Sequence, residues 1–210
     1  MKILIIDNYD SFTYNLYQLV GEILMKKNSA YQIDVKRNDE ITISQIQDAH
    51  YDRIIISPGP GDPRDEAYFG VCRDVILEIG KTVPVFGVCL GMQGMAHYFG
   101  AKIMHLSVPV HGKVSQLEHK NIGVFAGLPQ GIEVMRYHSL MVDPTTIPDE
   151  LEVTAQVVGS GEIMGLKHKK YPIEGVQFHP ESFATEGGRK MVENFLKIFN
   201  SPNFHSAWFR

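Results

Sequence analysis

The chain has 210 residues, 44% of them apolar and 21% charged, with a formal net charge of −4. That balance suits a globular protein with a sizeable core and lacks the basic footprint of a nucleic-acid binder. Two cysteines cannot build a disulfide framework, the amino-terminal apolar run is too short for a secretory signal, and no run approaches membrane length, so the expected setting is the cytoplasm.

The first element is the apolar run over residues 2–7, which reads as a central parallel strand covered on both faces. Phe12, Leu16, Leu19, Val20 and Ile23 then recur at helical spacing, with Ser11 where an N-cap belongs. Residues 32–36 alternate and predict a second strand, 43–48 a short helix, and 53–57, with three consecutive isoleucines, a third buried strand. A turn-rich loop, Pro58-Gly59-Pro60-Gly61-Asp62-Pro63, precedes a helix over about residues 67–80. Cys72 shares a face of that helix with Val75, Ile76 and Ile79 and reads as core. A strand from Val83 leads into a helix after Cys89, which Gly100 ends.

Strands alternating with helices at this spacing imply a doubly wound α/β sheet. The second half changes character: residues 102–178 hold mostly short strand candidates, among them 133–136, 151–158, 163–166 and 173–178. They predict an antiparallel extension of the same sheet and not a separate domain. A last helix is expected over 189–199, followed by a loose tail, 200–210, that Phe204, Trp208 and Phe209 would dock. One domain, 1–199, therefore carries the function.

The stretch Gly87-Val88-Cys89-Leu90-Gly91 has the form of a nucleophile elbow with cysteine in place of serine. Small residues two before and two after the nucleophile let the chains pass closely. The helix that follows points its partial positive charge at the sulfur, which favours thiolate over thiol. The pentapeptide alone is equally compatible with a buried cysteine in a βα turn, since free cysteine is among the most buried residue types. A catalytic cysteine also needs a base and a group that orients it. His179 follows the apolar strand candidate 173–178, and Glu181 lies two residues on, so both point to one side of an extended chain. Pro180 between them biases the backbone toward extended geometry. Functional groups collect at the carboxyl ends of strands in such sheets, where Cys89, His179 and the Pro-Gly-Pro-Gly loop all sit. Backbone N–H groups of that loop and of Leu90 are candidates for an oxyanion hole; the plain alternative is a surface turn.

With these residues in view, the sequence resembles class I glutamine amidotransferases, with Cys89, His179 and Glu181 as the triad. Within that group it is similar to the small subunits of anthranilate synthase and aminodeoxychorismate synthase. The resemblance rests on Asp7-Asn8-Tyr9-Asp10-Ser11-Phe12-Thr13-Tyr14-Asn15, Ser57-Pro58-Gly59-Pro60-Gly61, Gly87-Val88-Cys89-Leu90-Gly91-Met92-Gln93, His111-Gly112-Lys113, Tyr137-His138-Ser139-Leu140 and Gln177-Phe178-His179-Pro180-Glu181-Ser182, in that order. Residues 24–32 and the tail depart from the pattern, and neither touches the triad.

The resemblance implies a flavodoxin-like mixed sheet and the hydrolysis of L-glutamine to glutamate and ammonia. It implies Gly59 and Leu90 at the oxyanion hole, and Gly59, Pro60, Gly61, Gln93, Ser139 and Leu140 around glutamine. It implies a chorismate-binding large subunit that receives the ammonia, docked near Asn8, Tyr9, Asp10, Ser11, His111 and Lys113. Magnesium is expected on that partner; this chain shows no spaced set of metal ligands, and no metal or other cofactor is expected in it. The competing readings are a stand-alone cysteine hydrolase of the DJ-1 or γ-glutamyl hydrolase kind, a glutaminase subunit of another synthase, and a receiver domain. A receiver needs an aspartate ending its third strand, where this chain has Ser57.

Overall fold

The computed structural model describes residues 1–26 and 30–197. Nine strands form one sheet: β1 (Lys2–Asp7), β2 (Gln32–Arg37), β3 (Arg53–Ile56), β4 (Val85–Val88), β5 (Ile103–His119), β6 (Glu133–Val142), β7 (Leu151–Val157), β8 (Ile163–His168) and β9 (Ile173–Val176). Their spatial order is β2-β1-β3-β4-β9-β8-β7-β5-β6. The first five in that order run parallel, and the remaining four pair antiparallel. The mixed doubly wound sheet with its antiparallel extension is thus present.

The consecutive apolar residues of the inner strands serve both faces. Leu4, Ile6, Ile54 and Ile56 pack into one core with helices α2 (Ile43–Ala49), α4 (Cys72–Leu77) and α5 (Leu90–Tyr98). Ile3, Ile5 and Ile55 pack into the other with α1 (Thr13–Met25) and α6 (Gly188–Lys197). A strand with alternate residues buried on opposite faces cannot show polar alternation, which explains the unbroken apolar runs. Chain reversal between β2 and β3, on either side of β1, places a crevice at the carboxyl ends of these strands.

Several expected elements differ in detail. Ser11 is not the N-cap: α1 starts at Thr13, and its cap residue Phe12 makes no side-chain capping bond. Asp10 and Asp7 serve that end instead, Asp10 Oδ1 accepting from the Phe12 N–H at 2.8 Å and Asp7 Oδ1 from Thr13 Oγ1 at 2.7 Å. The helix expected over 67–80 is broken into α3 (Glu66–Phe69) and α4 because Gly70 takes φ +53°, a left-handed conformation that ends the first turn. β5 is a 17-residue strand that the short candidates did not include. It contains Pro109 and Gly112, ordinarily strand breakers, and its pairing with β6 shifts register at both, between His105 and Val110 and between His111 and Lys113. β6 runs the full Glu133–Val142, well past the expected four residues. The tail 200–210, the last residues of the expected final helix, and residues 27–29 of the divergent stretch lie outside the described residues. No described helix is long and apolar enough to cross a membrane.

Candidate active site

Cys89 is the residue on which β4 turns into α5. It is buried and takes φ 52°, ψ −101°, a strained conformation for a side chain with a Cβ. Its N–H donates to the Val176 carbonyl of β9 at 2.8 Å, and its carbonyl accepts from the Gln93 N–H at 3.0 Å. The flanking glycines are sterically required: a Cβ on Gly87 would stand 2.5 Å from the Gly91 carbonyl carbon, and one on Gly91 2.7 Å from the Ile56 oxygen. The elbow is therefore wedged against β3 and β9 at the same time.

His179 follows β9 and is locked by its own backbone, whose N–H donates to the Met135 carbonyl of β6 at 3.1 Å and whose carbonyl accepts from Thr185 Oγ1 at 2.6 Å. Its Nδ1 lies 2.6 Å from Glu181 Oε1. A carboxylate only accepts, so Nδ1 carries the hydrogen. Nε2 is buried with no hydrogen-bond partner among the described residues, as is Glu181 Oε2. The ring is held edge-on by Phe12 and Tyr137, with centroids 5.6 and 5.2 Å away. Burial opposes charging of the imidazole, but the sulfur of Cys89 and the Glu181 carboxylate outweigh it and hold its pKa at about 10. The Glu181 contact is the well-formed bond of the two; Nε2 and the sulfur influence each other without one of ordinary geometry.

In front of Cys89 lies a crevice of about 440 Å³, within the range of about 300–1,000 Å³ usual for small-molecule sites. Gly59, Pro60, Gly61, Gln93, Ser139 and Leu140, all expected around a ligand, line it together with Cys89. Leu90 opens α5 directly after Cys89, and Gly59 packs on it so closely that a Cβ there would come within 2.7 Å of Leu90 Cδ2. Of the residues expected at a partner-facing rim, Ser11 and Lys113 are exposed, and His111 lines the crevice itself. Tyr9, at φ 59°, is half exposed, and its hydroxyl donates to Asp39 Oδ2 at 2.7 Å. Asp10 is half-buried, and burial raises its carboxyl pKa. Asn8 offers no side chain to that rim: it is wholly buried, donating from Nδ2 to the Ser57 carbonyl at 2.9 Å and accepting at Oδ1 from Asn38 at 2.9 Å. It staples the loop after β1 to the loop after β3.

Sequence reasoning gave no site role to five further residues, four of which, all but Arg136, lie in the motifs quoted above. Phe12 and Tyr137 frame the imidazole. Gln177 is wholly buried, with Nε2 3.4 Å from Cys89 Sγ. His138 lines the crevice from β6, and Arg136 is buried beside it in an ion pair with Glu162. Residues 177, 179 and 181 share one spacing of two, so the alternation that paired His179 with Glu181 also pointed to Gln177.

Fold and site together have the form of an α/β protein built around a cysteine, a histidine and a carboxylate at the carboxyl ends of its parallel strands. The chain matches the family described as glutamine amidotransferase class-I over residues 4–199, and it belongs to that family. It is 58% identical over 199 residues to the anthranilate synthase component 2 of Leptospira biflexa, covering 93% of this chain and 99% of that one. It is 48% identical to the anthranilate synthase component 2 of Methanothermobacter marburgensis, covering 93% of this chain and 98% of that one. Among solved structures it is similar to a Thermoplasma acidophilum protein described as a candidate component of GMP synthase, with a TM-score of 0.76, 26% identity and coverage of 93% of this chain and 92% of that one.

Proposed function

We propose that this chain is the glutaminase subunit of an anthranilate synthase, hydrolysing L-glutamine and delivering ammonia to a chorismate-binding partner. One observation carries the chemistry: a cysteine on a strained elbow lies beside a histidine whose other nitrogen is tied to a buried carboxylate. The near-complete overlap with relatives named anthranilate synthase component 2 supports the assignment to that synthase.

In this reading the thiol proton rests on His179 Nε2 and the Cys89 sulfur attacks the side-chain amide carbon of glutamine. The carbonyl π pair moves onto oxygen, which the N–H groups of Leu90 and Gly59 receive. As the tetrahedral adduct collapses, Nε2 gives its proton to the leaving nitrogen, releasing ammonia and leaving a γ-glutamyl thioester. A high imidazole pKa suits this step, because the ring enters it protonated. The neutral ring then takes a proton from water, which attacks the thioester and frees glutamate. Glu181 keeps the tautomer right and balances the imidazolium throughout. Gly59, Pro60, Gly61, Gln93, Ser139 and Leu140 line the crevice that receives glutamine in this reading, and a polar ligand suits such a wall better than an apolar analogue of the same size.

The test is to measure glutamate release by the purified chain alone, then with an anthranilate synthase large subunit, with and without chorismate. Stimulation by the partner and chorismate is expected. Full turnover without any partner would point to a stand-alone hydrolase.

A further inference from the structure

A chain of buried hydrogen bonds links Cys89 to the Arg136–Glu162 ion pair, and its direction can be read from its ends. A guanidinium only donates and a backbone carbonyl only accepts. Arg136 Nε therefore donates to His138 Nε2 at 3.1 Å, and His138 Nδ1–H donates to the Leu140 carbonyl at 2.8 Å. Burial pushes the His138 pKa down to about 4, consistent with the neutral ring this requires. The same carbonyl accepts from Gln93 Nε2 at 3.0 Å, which fixes which end of the Gln93 amide is nitrogen. That nitrogen also meets Gln177 at 3.1 Å, so the Gln177 atom there is oxygen. The other end of Gln177 is then Nε2, 3.4 Å from Cys89 Sγ, and it can only donate. The carbonyl of a residue lining the crevice thus dictates that the sulfur meets a hydrogen.

We propose that Gln177 is a positioning residue for the nucleophile, its side-chain N–H holding the Cys89 sulfur in place for attack. The inference rests on the glutaminase reading for its consequence, but the coupling between Gln177 and the sulfur is testable without it. Because the bond is present before any substrate arrives, its loss slows every reaction of the sulfur while leaving glutamine binding nearly unchanged.

Two variants of the full chain separate this role from simple filling of space. Gln177→Met keeps length and removes the donor. Gln177→Glu keeps an acceptor for Gln93 and turns a carboxylate oxygen toward the sulfur. The readouts are the iodoacetamide alkylation rate at Cys89 at neutral pH, located by peptide mapping, and kcat and KM for glutamine with the synthase partner present. A hydrogen bond to a charged group predicts alkylation and kcat about tenfold lower in Gln177→Met, with KM within about twofold, and a larger loss in Gln177→Glu. If Gln177→Met does not fold, Gln177→Glu decides alone. Wild-type alkylation rates per folded molecule, with only the melting temperature changed, overturn the proposal and leave Gln177 a packing residue. Absence of glutamine turnover in the wild-type complex defeats the glutaminase reading instead, and the alkylation comparison still decides the Gln177 contact.

Discussion

Replacing Glu181 by glutamine isolates the charge of the proposed third triad member, because the amide oxygen can still accept from His179 Nδ1 across the present 2.6 Å contact. Glu181 Oε2 has no partner among the described residues, so an amide nitrogen in its place loses no bond there, and the weakened His179 contact alone should lower stability, by about 1–2 kcal/mol. What is lost is the charge assistance: a hydrogen bond to a charged group contributes about 1.5–3 kcal/mol, a neutral one about 0.5–1.5, a difference of roughly 1–2 kcal/mol. At about 1.4 kcal/mol per decade this lowers kcat about 5- to 30-fold. The sign on pH follows from the same contact. The carboxylate favours the imidazolium, so removing it lowers the His179 pKa from about 10. At about 1.36 kcal/mol per pH unit, the alkaline limb of glutamine hydrolysis moves down by roughly one pH unit. The assay is the pH dependence of kcat/KM for glutamine in the synthase complex, wild type beside Glu181→Gln. An alkaline limb that stays in place, or a loss as large as that of His179→Ala, would refute the reasoning and make Glu181 a structural residue.

Glutamine-mimicking electrophiles should label Cys89 and spare Cys72, which is wholly buried with its thiol pushed up by desolvation; Cys89→Ser abolishes labelling and Cys72→Ser retains it, as peptide mapping will read out. Gly91→Ala places a Cβ 2.7 Å from a backbone oxygen that cannot yield freely, so thermal unfolding should show a loss of about 1–3 kcal/mol together with loss of glutaminase activity. Lys113→Glu, an exposed change away from the crevice lining, should weaken stimulation by the partner while Cys89 labelling stays at the wild-type rate; equal loss of both would move Lys113 into the site.

The inner strands β1, β3 and β4 were legible because they are largely apolar on both faces, β2 because it alternates, and the elbow because its two glycines stand where only hydrogen fits behind the turn. His179 and Glu181 were legible from their spacing at a strand end. β5 was not, because Pro109 and Gly112 read as breakers until the partner strand is seen to absorb them in two register shifts. Asn8 was expected at the partner-facing rim, since nothing local says that Ser57 and Asn38, distant in sequence, will surround it. The link through Arg136, His138, Gln93 and Gln177 was invisible for the same reason: each member is an ordinary polar residue, and the link exists only where α5, β6 and the end of β9 converge.

The position of β9 has a consequence for how the protein is made. After α5 the chain leaves the parallel sheet, lays down β5 to β8, and only then returns to place β9 beside β4. The residue that touches the cysteine sulfur is 88 positions further along. At about 5–20 residues per second, the ribosome needs roughly 4–18 s to supply it. Through that interval the Cys89 thiol has been synthesised but neither His179 nor Glu181 exists, and the elbow lacks the Val176 carbonyl that receives its N–H. On the proposed mechanism a nascent chain therefore has no triad with which to consume glutamine, and chemical competence coincides with closure of the sheet.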